Sequence, residues 1–325
     1  MSVYLISRHI ISIGAAAAFV GCGGSQAPIG APGAMPQSPA IASRAERRGS
    51  WMLPEALSEA LLYVTNYSTV LVYSYPTGKL VGELKGFVSA SGACVDSKGN
   101  VFITNFKPVT VYEYPHGGTK RIASFPTKKA GTFGCAINPI NEDLAISGQT
   151  SYLEIYRGAK GTPVVLRDKN MFFGEFCTYD NAGNLFFSGT RREPFEHLQL
   201  SELRAGTKTF INIKPNVRYE PDTAILWNGK YLTALTFVPW TRHGTATIVQ
   251  YSTSGSRATK VGSTPLNAPE RAIVQYFIKG SAVVVPNDAT RQVLFYDYPG
   301  GGDPYRTLTK KVTTPRGVVI SIAPH

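Results

Sequence analysis

Leu61-Leu62-Tyr63-Val64-Thr65-Asn66 is the stretch on which the fold turns, because the chain writes it again. Val101-Phe102-Ile103-Thr104-Asn105 repeats it, then Leu144-Ala145-Ile146-Ser147-Gly148 and Leu185-Phe186-Phe187-Ser188-Gly189. Tyr231-Leu232-Thr233-Ala234-Leu235 is a weaker copy, and Ala282-Val283-Val284-Val285-Pro286-Asn287 is the last. Successive starts lie 40, 43, 41, 46 and 51 residues apart. A recurrence of roughly 40–45 residues is the period of a four-stranded propeller blade.

Each copy leads into a second strand and a turn, as Val111-Tyr112-Glu113-Tyr114-Pro115 leads to Gly117 and Val293-Leu294-Phe295-Tyr296 leads to Gly300. Aromatic and β-branched residues suit pleated, half-buried positions, and Gly supplies the positive φ of the hairpin. Before most copies stands a further strand with a tight turn, such as Gly92-Ala93-Cys94-Val95-Asp96 running into Lys98-Gly99-Asn100. With the strands of a blade ordered A to D, the chain begins at a B strand near Leu61. It ends at an A strand, Gly317-Val318-Val319-Ile320-Ser321-Ile322. Joining these ends removes two raw sheet edges. The expected fold is all-β: a six-bladed β-propeller of four-stranded antiparallel blades over 61–325, its ring closed by the C-terminal strand joining the first blade. The repeats resemble the NHL and YVTN repeats, and the six-bladed fold family that includes gluconolactonase-like proteins.

The first residues read as an address. Arg8 and His9 precede the apolar run Ile10–Val20, the order of a secretory signal. Phe19-Val20-Gly21-Cys22 resembles the bacterial lipobox, with Phe19 where Leu is usual; the resemblance implies a signal peptide over 1–21 and lipidation of Cys22. Residues 22–60 read as a tether, rich in Gly, Ala, Pro and Ser as far as about Ser50 and without hydrophobic period. Its end, Trp51–Ala60, suits either a short helical turn or an extended lead-in that packs Trp51 on the body. The expected location is the bacterial cell envelope, with the body facing periplasm or exterior.

Composition narrows the function. A hydrophobic share of 43% in 325 residues fills a core, and no internal apolar run spans a bilayer. Four cysteines exclude a disulfide-dense scaffold. Cys94, Cys135 and Cys177 share one phase of successive blades and read as small buried side chains; same-phase positions are expected to lie too far apart for a disulfide. The net charge of +12 is spread over both turn faces without interleaved aromatics, so no nucleic-acid partner is expected.

No Gly-x-Ser-x-Gly, His-Glu-x-x-His or phosphate-loop motif is present, and there are 5 histidines. The gluconolactonase resemblance implies an axial divalent cation, for which Asn66, Asn105, Asn287 and Glu175 are the candidates here; Gly148 and Gly189 stand at the equivalent positions of blades three and four. That alternative is a hydrolase or lyase. The favoured expectation is a non-catalytic, monomeric binding module without cofactor, whose partner is an envelope protein, glycan or small ligand, with the bilayer as second partner through the lipid. In this strand order the B–C and D–A loops open on one face. The longest B–C insertions, in blades four and five, carry Arg191, Arg192 and His197, and Trp240, Arg242 and His243, and Arg and Trp are types that dominate binding energy.

Overall fold

The computed structural model describes residues 49–191, 198–216, 224–238, 245–268 and 273–324. The chain divides into two units, 1–43 and 44–325, and all described residues lie in the second. Among the described residues the regular secondary structure is strand except for two short 3₁₀ turns, Pro54–Leu57 and Arg157–Ala159. The chain enters through β1 (Trp51–Met52), β2 (Leu61–Ser74) and β3 (Leu80–Ala90). Then come β4 (Ala93–Val95), β5 (Val101–Asn105), β6 (Thr110–Tyr114) and β7 (Ala123–Pro126), which form one four-stranded sheet. A second is made by β8 (Gly134–Ile137), β9 (Leu144–Ser147), β10 (Tyr152–Tyr156) and β11 (Val164–Arg167).

Three further antiparallel quartets follow. They are β12 (Phe173–Tyr179), β13 (Leu185–Thr190), β14 (Leu198–Leu203) and β15 (Phe210–Pro215); β16 (Ile225–Trp227), β17 (Leu232–Val238), β18 (Thr245–Ser254) and β19 (Arg257–Leu266); and β20 (Phe277–Lys279), β21 (Ala282–Asn287), β22 (Gln292–Asp297) and β23 (Gly301–Leu308). Brief parallel contacts join their outer strands, Lys214 and Pro215 against Arg257 and Ala258, and Leu266 against Gly302. The last strand is β24 (Val318–Ser321), and it returns to the start: Leu61 lies opposite Ser321 and Val64 opposite Val318. β2 doubles back about Tyr67 (φ 61°), so its first half pairs with β24 and its second half, from Thr69, with β3.

Why these runs form stacked sheets follows from their two-residue period. Leu61 and Tyr63 pack against Val101, Ile103 and Tyr112 of the next sheet. Their neighbours Leu62 and Val64 face the other way, against Val284, Val293 and Phe295. Because both faces are covered, the second strands begin as apolar runs; β5 is buried at every position, whereas the outer strand β11 is buried at none. The innermost strands approach more closely still. A Cβ on Gly92 would collide with the Phe133 carbonyl, one on Gly134 would lie 2.9 Å from the Glu175 carbonyl, and one on Gly317 would collide with the Ser91 carbonyl. Hydroxyls from the second strands satisfy carbonyls at this crowded edge: Thr65 bonds Ser91, Thr104 bonds Gly92 (3.1 Å) and Ser147 bonds Glu175 (2.9 Å).

Two expectations need correction. The tether does not run to residue 60, since both readings of the lead-in hold at once: Trp51 and Met52 form β1 against Glu83 and Gly82 of β3, and Pro54–Leu57 form a 3₁₀ turn. The Met52 sulfur sits where a side chain at residue 82 would be, and Lys311 lies 5.4 Å over the Trp51 ring. The second correction concerns the cysteines. Cys94 of β4 and Cys135 of β8 form a disulfide with Cα atoms 5.7 Å apart, because the missing Cβ atoms let neighbouring inner strands approach within bridging range. Cys177 is free and buried, as a small core residue, and burial pushes its thiol up to about 12.

Breaking the bridge in a Cys94→Ser, Cys135→Ser chain is expected to lower unfolding free energy by about 2–4 kcal/mol. Denaturant melts with and without reductant read this; equal midpoints would refute the cross-link. In a Cys22→Ser background, Cys177 is expected to react with a thiol reagent only after denaturation.

Candidate functional site

The D–A and B–C loops of the first three sheets surround a cleft of about 420 Å³, lined by Ser89, Ser91, Phe106, Val109, Gly131, Thr132, Phe133, Gln149, Thr150 and Arg316. We call this side the mouth. Its walls are apolar on one side, where Phe106 is 48% exposed and Val109 38%, with Tyr67 and Val88 exposed beside them. Hydroxyls, amides and one guanidinium make the rest. No carboxylate, imidazole or thiol is among the lining residues.

Loop clamps shape this mouth, and the strand-end asparagines are those clamps. The Asn66 carboxamide oxygen accepts from the Thr313 and Thr314 amides (2.8 and 2.9 Å), and its nitrogen donates to the Lys311 carbonyl. Asn105 accepts from the Val88 amide (2.7 Å) and donates to the Pro108 carbonyl. Asn287 accepts from the Thr290 amide (3.0 Å). Glu175 lies half-buried in β12, where its carbonyl receives Ser147. The sets around Asn66 and Asn105 hold backbone, and among the described residues no three His, Cys, Asp or Glu side chains stand close enough to share a metal ion.

In the third sheet Gly148 replaces the asparagine, and the loop drops into the vacated space. A Cβ there would come 2.6 Å from Gly131 and 2.7 Å from the Thr132 nitrogen. Glu154, fully buried in β10, takes over as clamp, its Oε1 accepting from the Lys128, Lys129 and Ala130 amides (2.9, 2.6 and 3.2 Å). Gly131 and Thr132 thereby become cleft lining.

The two loop faces differ in charge. On the turn face acids and bases pair: Lys79 with Glu55, Arg157 with Asp143, Arg204 with Glu202. On the mouth face Lys107, Lys128, Lys129, Lys169, Arg291 and Lys310 are exposed and have no carboxylate partner among the described residues; Lys311 and Lys85 both reach Glu83, at 2.7 and 3.8 Å. The bases are spread over both faces as expected; the mouth face also carries Asp168 and Asp288, yet the exposed bases named above are left unpaired there.

Of the residues expected to bind, Arg191 follows β13 and is half-buried, its Nε without a hydrogen-bond partner among the described residues. Arg192, His197, Trp240, Arg242 and His243 lie outside the described residues. The cleft itself was not anticipated. It is made by short loops, whereas long insertions drew attention; the signal for it was the change from Asn to Gly at 148.

His116 lies on the turn face, with Nε2 3.0 Å from the Glu59 carbonyl and Nδ1 2.6 Å from the Ser321 hydroxyl. It therefore ties the lead-in to the end of β24.

In three dimensions the chain is similar to solved proteins whose sequences it does not share. It matches a chain in the crystal structure of the nidogen/laminin complex, a β-propeller, with a TM-score of 0.64 and 12% identity over 82% of this chain and 100% of that one. The fold is β-propeller-like. It also matches the structure of U3-55K with a TM-score of 0.54 and 8% identity over 76% of each chain. No family model and no curated protein sequence matches the chain.

Asn66→Ala is expected to free the Thr313 and Thr314 amides and cost about 1–2 kcal/mol. Urea melts read it, and an unchanged midpoint refutes the clamp. Burial holds the His116 pKa below the ordinary imidazole value, against the raising effect of the Glu59 and Ala56 carbonyls. The unfolded chain therefore binds the proton more readily, so His116 favours folding above about pH 6.5 and loses that contribution as pH falls. Melting temperature is expected to drop between pH 7.5 and 5 by less in His116→Gln than in the natural chain; equal drops count against this.

Proposed function

We propose that this chain is an envelope-anchored bacterial lipoprotein, held by a lipid on Cys22, whose body is a six-bladed β-propeller of the NHL and YVTN repeat type acting as a non-catalytic, monomeric binding module. The antiparallel quartets are its blades, and β24 closes the ring. This reading is supported by the pairing of β24 with β2 and by the packing of the first sheet on both its sequence neighbour and the last quartet. Export is supported by the Cys94–Cys135 bridge, since disulfides form and persist outside the reducing cytosol.

The observation that carries the binding role is the mouth cleft. It offers apolar wall, hydroxyls and a guanidinium, the composition of a recognition pocket, and the lining residues supply no acid–base pair. The ligand enters between short loops fixed by Asn66, Asn105 and Glu154, so the pocket is preformed.

Expressed in a bacterium, the full chain is expected to incorporate labelled palmitate and sediment with membranes, and Cys22→Ser to do neither. A small-molecule thermal-shift screen is expected to yield ligands that slow hydrogen exchange at 88–92, 106–109 and 131–133. An unlabelled chain overturns the anchor, and ligands that protect only other surfaces overturn the site.

A further inference from the structure

We propose that the mouth cleft takes a small molecule in which an oxyanion is joined to a flat apolar body, the anion seated on Arg316 and the body against Phe106 and Val109. This inference rests on the reading of the mouth as a binding site.

Arg316 is placed by its backbone. Its amide donates to the Thr65 carbonyl (3.0 Å) and its carbonyl accepts from the Gln275 amide (3.2 Å). From that fixed origin the guanidinium reaches the cleft half-buried, with Nη1 donating to the Ser89 hydroxyl at 3.2 Å and the charge 5.5 Å from the Tyr67 ring centroid. Both partners are neutral, and no carboxylate among the described residues pairs with it. Desolvating a guanidinium without a counter-charge is unfavourable, and a ligand oxyanion supplies that charge in the forked geometry guanidinium favours.

A second observation points to the same space. Ser91 is among the residues lining the cleft, is only 3% exposed, and its hydroxyl oxygen, closed off from solvent, has no hydrogen-bond partner among the described residues. Buried hydroxyls are seldom left so, and a turn of this side chain toward the cleft lets it donate to the oxyanion. Opposite stand the exposed Phe106 ring and Val109, which gain from covering by an apolar body. A cleft of about 420 Å³ suits a molecule of two or three rings. The unpaired lysines of the mouth raise the local concentration of anions without touching the ligand.

The probe is 8-anilinonaphthalene-1-sulfonate, with its uncharged analogue N-phenyl-1-naphthylamine as control, titrated into the full chain by fluorescence. The sulfonate is expected to bind saturably and at least about tenfold more tightly than the neutral analogue, a difference of about 1.4 kcal/mol. Arg316→Gln is expected to erase that preference and leave the neutral analogue unaffected. Arg316→Lys keeps charge without the fork and should fall between. Phe106→Ala weakens both probes, and Lys120→Gln on the opposite, turn face changes neither. 1-Naphthyl phosphate and 1-naphthylacetate, as competitors, rank phosphate against carboxylate; displacement by either supports the proposal and displacement by neither overturns it. Equal binding of charged and neutral probes, or sulfonate binding indifferent to Arg316, overturns the anion assignment and leaves the binding site standing. If neither probe binds, both fall.

Discussion

Everything in this molecule answers to crowding at the innermost strands. Gly317, Gly92 and Gly134 meet the next strand's backbone where a methyl would not fit, and the hydroxyls of Thr65, Thr104 and Ser147 reach across to satisfy the carbonyls exposed there. Gln275 extends the same solution, its carboxamide bonding both the nitrogen and the carbonyl of Ala93 at 3.1 and 2.9 Å. Buried backbone groups need partners, and at this edge side chains provide them. The disulfide, the loop positions and the cleft all follow from how near these strands come.

The cleft shows how one departure from a repeat creates a site. Where asparagine ends the second strand, its carboxamide holds the preceding loop at arm's length. Gly148 removes that spacer, the loop settles onto the strand, and Glu154 captures three amides from the neighbouring strand instead. The walls are therefore held in place although they are loops, and the side chain left over, Arg316, faces a space it does not fill.

The all-β character was legible because alternate residues of Leu61–Val64 are apolar toward both neighbours, a pattern that needs a sheet on each side. So was the place of the last strand, since a chain that begins one strand late and ends one strand over has a matching pair. The Cys94–Cys135 bridge was not legible: equal phase tells which strands carry sulfur, but only the backbone separation tells whether they touch. Nor was the role of the asparagines as clamps on particular loops, because Asn66 bonds residues 245 to 248 positions away. The contrast between faces escaped for a similar reason, since counting bases does not reveal which of them an acid reaches.

The return of β24 to Leu61–Val64 has a consequence for how the chain is made. A polypeptide delivered amino end first presents that segment long before residues 318–321 exist outside the machinery that delivers it. For this interval the first sheet has a naked border, able to accept any passing extended peptide. A product cut short by a few residues keeps that border permanently, so the last turn of the message guards the first, and loss of the tail is a route to clumping rather than to a merely shorter protein.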